Sequence, residues 1–229
     1  MKILKAFKKL TKFELLLWLS SVSVIIVSSF FSGTEGIVSG IASVIGVTAL
    51  IFIAKGMVLG QALCIVFALM YGIISIFFRY YGETATYIGM SLPMAVVSLI
   101  SWIKHPYKNT DEVEIDRLSV KKIIAVAMSA VAVTVLFYFI LKALNTANLF
   151  FSTISITTSW VASCFTFLRS PLYALAYAVN DVVLIVLWVS AAVTDISCLP
   201  MVFCFIMFLA NDIYGYCNWQ RMKKFQNSK

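Results

Sequence analysis

Residues 169–221 read RSPLYALAYAVNDVVLIVLWVSAAVTDISCLPMVFCFIMFLANDIYGYCNWQR. Two apolar stretches, 171–193 and 198–219, each have about the length a helix needs to cross the hydrocarbon of a bilayer. Only Thr194-Asp195-Ile196-Ser197 separates them. A basic residue stands at each outer end of the pair, Arg169 and Arg221, and none lies in the turn. Lys and Arg are retained on the cytoplasmic side of a membrane. The segment therefore predicts a helical hairpin that enters and leaves on one basic face.

Six more apolar stretches precede it: 13–31, 37–54, 57–78, 84–103, 123–141 and 148–168. Assigning the connections alternately to two sides sorts the 18 basic residues into 16 on one side and only Arg79 and Lys142 on the other. Eight spans with both termini cytoplasmic satisfy this count, and an odd number would strand a basic terminus. The chain reads as an all-α polytopic membrane protein, a single membrane domain over 1–229 with eight transmembrane helices. Lys2, Lys5, Lys8 and Lys9 before the first stretch resemble the n-region of a secretory signal. The stretch is long and lacks a good small-residue cleavage site, so 13–31 is expected to be a retained helix.

Composition excludes most alternatives. The chain is 62% hydrophobic and 12% charged, whereas a soluble domain is roughly half apolar and a quarter charged. The net charge of +8 is expected to form a collar facing anionic lipid, not a nucleic-acid surface. Cys64, Cys164, Cys198, Cys204 and Cys217 are scattered through apolar segments without CxxC spacing, and His105 is the single histidine. Neither a metal site nor a resident cofactor is expected. A nucleophile with a nearby base is also missing, so an enzyme is not expected.

Two segments resemble each other, 37–104 and 148–221. In each, the first two spans meet at a short basic turn, Lys55-Gly56 and Arg169-Ser170-Pro171. In each, the next pair is joined by a short outer turn, Tyr80-Tyr81-Gly82-Glu83 and Thr194-Asp195-Ile196-Ser197. Each closes on a Trp before a basic exit, Trp102-Ile103-Lys104 and Trp219-Gln220-Arg221. Between them, 105–147 supplies a cytoplasmic loop and one linking helix, which returns the chain to the side where the first triplet began. The expected core is therefore a seven-helix 3+1+3 arrangement of two parallel triple-helix repeats, related by an axis along the membrane normal. The helix 13–31 is an N-terminal addition, and 222–229 is expected to be a cytoplasmic tail.

Polar groups within apolar spans mark the candidate site, because they are costly there. Asn180-Asp181 and Asn211-Asp212 lie eight or nine residues from the cytoplasmic ends of consecutive antiparallel spans. At about 1.5 Å per residue both pairs sit at one depth, near the bilayer midplane. Asn180 and Asn211 are expected to face a common cavity. Tyr173, Tyr177, Asn180, Asp181 and Trp188 share one side of their helix, and Asn211, Tyr214 and Asn218 share one side of theirs. Amides supply paired donors and acceptors, rings supply stacking faces, and an Asp favours a cationic ring. The same residues could instead glue helices together by hydrogen bonds. Gln61 near a cytoplasmic end could snorkel or bind; Tyr87 is a further candidate, and Pro93 predicts a kink. Because the first repeat has Met94-Ala95 where the second has Asn211-Asp212, the second is expected to do most of the recognition.

The block Tyr71-Gly72 through Tyr80-Tyr81-Gly82-Glu83, with Leu92-Pro93-Met94 and Trp102, resembles the nicotinamide riboside transporters of the PnuC type. So does the block from Tyr173 and Asn180-Asp181 to Asn211-Asp212, Tyr214-Gly215 and Asn218-Trp219. The resemblance covers about 37–221. It implies a 3+1+3 core similar to the SWEET fold, a homotrimer, and facilitated diffusion of nicotinamide riboside with trapping by a cytoplasmic kinase. The family's WxxWxxxN motif here reads Tyr173, Ala176 and Asn180, so the resemblance leaves thiamine, riboflavin or a deoxynucleoside as alternative cargo. Proton coupling through Asp181 or Asp212, and a membrane scaffold without substrate, are the competing expectations.

Overall fold

The computed structural model describes residues 6–30, 33–77, 79–108, 110–194 and 196–228. Lys2, Lys5, Phe31, Asp195 and Lys229, used in the sequence reading, lie outside the described residues. The described chain is helical apart from its connections, which carry two isolated bridges, Met57 with Glu112 and Pro106 with Val113. Its long elements are α1 (Lys12–Ser29), α2 (Gly33–Ala54), α3 (Val58–Phe77), α4 (Tyr81–Lys104), α5 (Val120–Ala143), α6 (Leu149–Phe167), α7 (Leu172–Thr194) and α8 (Leu199–Asn227). All eight are long and apolar enough to cross a membrane.

The last element runs past its predicted end. Residues 222–227 continue α8 and are not a loose tail. Their anchor is Gln226, which accepts from the Ile115 N–H at 2.8 Å and donates to the Val113 carbonyl at 3.1 Å. The connection 105–119 is likewise a strap across the basic face. Val113 N–H donates to the Gly56 carbonyl at 2.8 Å, and Val113 itself is fully buried. Its far end meets the α6–α7 turn, where Asp116 pairs with Lys122 at 2.5 Å and with Arg169 at 3.6 Å. Partial burial raises the Asp116 carboxyl, but the hydrogen bond and charge of Lys122 and the charge of Arg169 outweigh it. The carboxyl is held below its usual value.

The kink predicted at Pro93 takes a specific form. A wide π turn spans Tyr87–Ser91, directly before the α-helical half Leu92–Lys104. Proline offers no N–H and its ring would strike the carbonyl one turn earlier, and a π turn relieves both constraints. It also turns Tyr87 and Ser91 toward the interior.

The two triplets, α2–α3–α4 and α6–α7–α8, lock together through matched contacts at the basic end. Trp102 Nε1 at the end of α4 donates to the Thr166 carbonyl at the end of α6, at 2.9 Å. Trp219 Nε1 of α8 donates to the Ile53 carbonyl at the end of α2, at 2.8 Å. One residue earlier on each third helix the exchange repeats: Ser101 Oγ to the Phe167 carbonyl and Asn218 Nδ2 to the Ala54 carbonyl. The indole rings themselves lie 5.5 Å apart. The turns agree too, with Gly56 at φ 66° and Arg169 at φ 51°. Each third helix thus packs on the first helix of the other triplet, as a rotation about the membrane normal requires.

Of the two helices outside this symmetry, α5 packs on α6, whereas α1 packs on α2 and α8. Thr11 and Glu14 form a capping box that starts α1. The same Glu14 is buried against Lys55 Nζ at 3.0 Å and accepts from the Tyr214 hydroxyl at 2.6 Å. A buried carboxylate needs such partners, and here they come from both neighbouring helices.

Candidate functional site

A cavity of about 560 Å³ lies between the two triplets. It reaches the loops opposite the basic collar, at Arg79, Tyr80, Asn145 and Asn148. Toward the basic face it ends on Ser98, Thr166 and Tyr173, beyond which the buried Trp102–Trp219 pair fills the centre. Gly215 permits this closure: a Cβ there would stand 3.0 Å from the Tyr173 hydroxyl.

The sequence-predicted residues divide into two groups. Tyr173, Tyr177, Asn180, Asp181, Trp188, Asp212, Gln61 and Tyr87 all line the cavity. The side chain of Asn180 is fixed from behind, its Oδ1 accepting from Ser155 at 3.0 Å and Thr158 at 2.8 Å on α6. No hydrogen bond among the described residues engages its Nδ2. Asp181 and Asp212 both line the cavity and lie within electrostatic reach of each other. Tyr177 and Ser163 hydroxyls meet at 3.0 Å. Gln61 Nε2 and Asp181 Oδ2 are buried without a hydrogen-bond partner. Polar atoms in that condition cost roughly 1–3 kcal/mol each unless something satisfies them.

Asn211, Tyr214 and Asn218 turn the other way, which corrects the expectation that Asn180 and Asn211 share a cavity. Asn211 Nδ2 donates to Ser21 Oγ of α1 at 3.0 Å and to the Met207 carbonyl at 2.8 Å. Tyr214 is bound to Glu14, also on α1, and Asn218 to the backbone of α2. The adjoining Asp212 does line the cavity with Asn180 and Asp181. What fails is the facing. Neighbouring residues on a helix point about 100° apart, and α8 borders α1 and α2 on one side and the cavity on the other. The snorkelling alternative for Gln61 also fails, because its side chain is 2% exposed and faces inward.

Sequence reasoning missed part of the first triplet's contribution. Phe67, Tyr71 and Glu83 line the cavity beside Gln61 and Tyr87. The sequence shows a legible stripe at Gln61, Cys64, Ala68 and Tyr71, spaced by three and four along α3. From the sequence, Glu83 belongs to the outer turn Tyr80-Tyr81-Gly82-Glu83. It opens α4 instead, one helical turn before Tyr87.

Comparison with known proteins agrees with this architecture. A solved structure, the crystal structure of the vitamin B3 transporter PnuC, superimposes with a TM-score of 0.78 over 95% of this chain and 94% of that one, at 24% identity. That likeness concerns the fold. By sequence, the chain is similar to the nicotinamide riboside transporter PnuC of Neisseria mucosa, with 26% identity over 200 residues, 85% of this chain and 76% of that protein. The family model described as nicotinamide mononucleotide transporter matches residues 36–221, which takes in nearly all of both triplets, the linking helix and the cavity, while α1 precedes it. On that match the chain belongs to the nicotinamide mononucleotide transporter family.

Proposed function

We propose that this membrane transporter carries nicotinamide riboside rather than the phosphorylated mononucleotide. The observation that carries the reading is the charge of the cavity wall. Asp181, Asp212 and Glu83 line it, and its one basic lining residue among those described, Arg79, lies at the rim. A phosphate dianion would be repelled from such a wall, whereas a pyridinium ribose would be attracted. Asn180 Nδ2, Asp181 Oδ2 and Gln61 Nε2 supply the donors and acceptors that ribose hydroxyls and a carboxamide need. Passage is by facilitated diffusion, with a cytoplasmic kinase trapping the product. The basic collar supports a cell-membrane orientation with both termini inside. Assembly is a homotrimer, as the resemblance to the PnuC-type transporters implies.

Binding measured by titration calorimetry on the purified protein tests the substrate. Micromolar affinity for the riboside with none for the mononucleotide is expected, and the reverse order would sink the reading. Thiamine, riboflavin and deoxynucleosides belong in the same series. The proximity of Asp181 and Asp212 favours a second mechanism, proton-coupled uptake, because two neighbouring buried carboxyl groups can share a proton. Vesicles lacking kinase decide between them. A facilitator equilibrates its substrate whether or not a proton gradient is imposed, and a symporter concentrates it only when one is.

A further inference from the structure

Three aromatic rings of the first triplet cluster on the cavity wall. Tyr71 and Tyr87 have centroids 4.7 Å apart, and Phe67 lies 5.5 Å from Tyr71 and 5.8 Å from Tyr87. The π turn of α4 is what brings Tyr87 against α3. Gly72 allows the approach, since a Cβ there would stand 2.4 Å from Ile88 Cδ1. Glu83 sits within electrostatic reach of both tyrosines. The only described hydrogen bond to its carboxylate is a long one, 3.4 Å from Ser75 Oγ. Among the described residues no Lys, Arg or His forms an ion pair with it, the exposed Arg79 included. A carboxylate beside an aromatic cluster, inside a cavity and without a cationic partner, has the composition of a cation receptor.

We propose that Glu83 and the Phe67–Tyr71–Tyr87 cluster hold the charged heterocycle of the cargo, and that positive charge on the ring is the property this wall of the cavity selects. The proposal rests on the riboside reading and adds an orientation to it: the ring lies against α3 and α4, and the ribose against Asn180, Asp181 and Asp212.

The test uses two ligands alike in ribose and carboxamide but different in charge: nicotinamide riboside and its reduced, uncharged dihydropyridine form. Purified wild-type protein is expected to bind the charged form about tenfold more tightly, the scale of a desolvated cation–π and carboxylate contact. Glu83→Gln is expected to abolish that preference by weakening the charged form alone. A Glu83→Gln protein that keeps the preference, or that loses both ligands together, overturns the proposal. Failure of the wild type to bind either form instead removes the riboside reading itself. If Glu83→Gln cannot be purified, Tyr87→Leu against Tyr87→Phe carries the same test. The Phe variant must keep the preference and the Leu variant must lose it, and equal behaviour of the two overturns the proposal.

Discussion

Counted from Ile53 and Thr166, the matched carbonyls at the ends of α2 and α6, the positions of α3 that correspond to Asn180-Asp181 are Phe67-Ala68. Counted back from Trp102 and Trp219, the positions of α4 that correspond to Asn211-Asp212 are Met94-Ala95. At the basic end the two triplets are nearly interchangeable: an indole and a second side chain on each third helix donate to the same two carbonyls of the opposite first helix. In the cavity they are not. The second triplet offers Asn180 and two carboxyl groups, and the first offers the rings of Phe67, Tyr71 and Tyr87 with Gln61 and Glu83. Contacts directed at backbone set the symmetry axis and tolerate no drift, since a lost partner leaves a buried carbonyl unpaired. Side chains facing a cavity have no such obligation. A duplicated triplet can therefore diverge where ligand binds without loosening where it assembles.

The sharpest way to break this comparison lies in the second triplet. Asn180→Ala is expected to reduce riboside binding about a hundredfold, because it removes a donor pre-set by Ser155 and Thr158 in a water-poor site. Its neighbour in sequence type, Asn211→Ala, should leave the affinity unchanged and lower stability by roughly 1–2 kcal/mol, the cost of a lost interhelical hydrogen bond. Calorimetry and a thermal melt on both variants separate the two roles. Equal affinity losses would mean that Asn211 reaches the ligand after all.

A smaller effect sharpens the symmetric half. Trp102→Phe and Trp219→Phe each delete one buried hydrogen bond and keep most of the ring. Each should cost about 1 kcal/mol, read as matching falls in melting temperature. Clearly unequal falls would show that the two crossings are not mechanically equivalent.

How far these features could be read from the chain follows the same division. Span count, orientation and the triplet repeat were legible, because they rest on apolar length, the placement of Lys and Arg, and paired Trp residues. That the two Asn-Asp pairs mark the region of the cavity was legible from counting along the rise. Which face each residue presents on α8 was not. That helix has polar residues on more than one side, and only the docking of α1, through Ser21 and Glu14, decides which side is cavity. Glu83 escaped for a different reason. It follows Tyr80-Tyr81-Gly82, a run with turn character, yet α4 starts at Tyr81 and carries the carboxylate inward.

Gly56 and Arg169 occupy the same left-handed position in the two triplets, and they pose the next test. Gly56→Ala is expected to cost about 1 kcal/mol through φ alone. The added methyl would also meet Met222 Cε at 2.7 Å, and that flexible side chain can yield. A melting temperature unchanged by this substitution would contradict the assigned backbone.

Arg169 bears that backbone cost and is braced for it. It donates to Ser101 Oγ at 2.8 Å and to the Glu114 carbonyl at 3.1 Å, and it pairs with Asp116. The brace has a pH signature whose sign is fixed. The folded Asp116 carboxyl is held below its usual value, so its contribution is complete above about pH 4, where an unfolded Asp is ionised. It is lost as pH falls through the lowered folded value. Asp116→Asn is therefore expected to destabilise by less than about 1 kcal/mol at neutral pH, as a partly exposed pair does. The gap between variant and parent should close in acid. A gap that persists undiminished below about pH 3 would mean that Asp116 acts through packing, not charge. The left-handed turn of the second triplet would then rest on the uncharged contacts of Arg169, those with Ser101 and Glu114 among them, much as the glycine of the first turns without any charge.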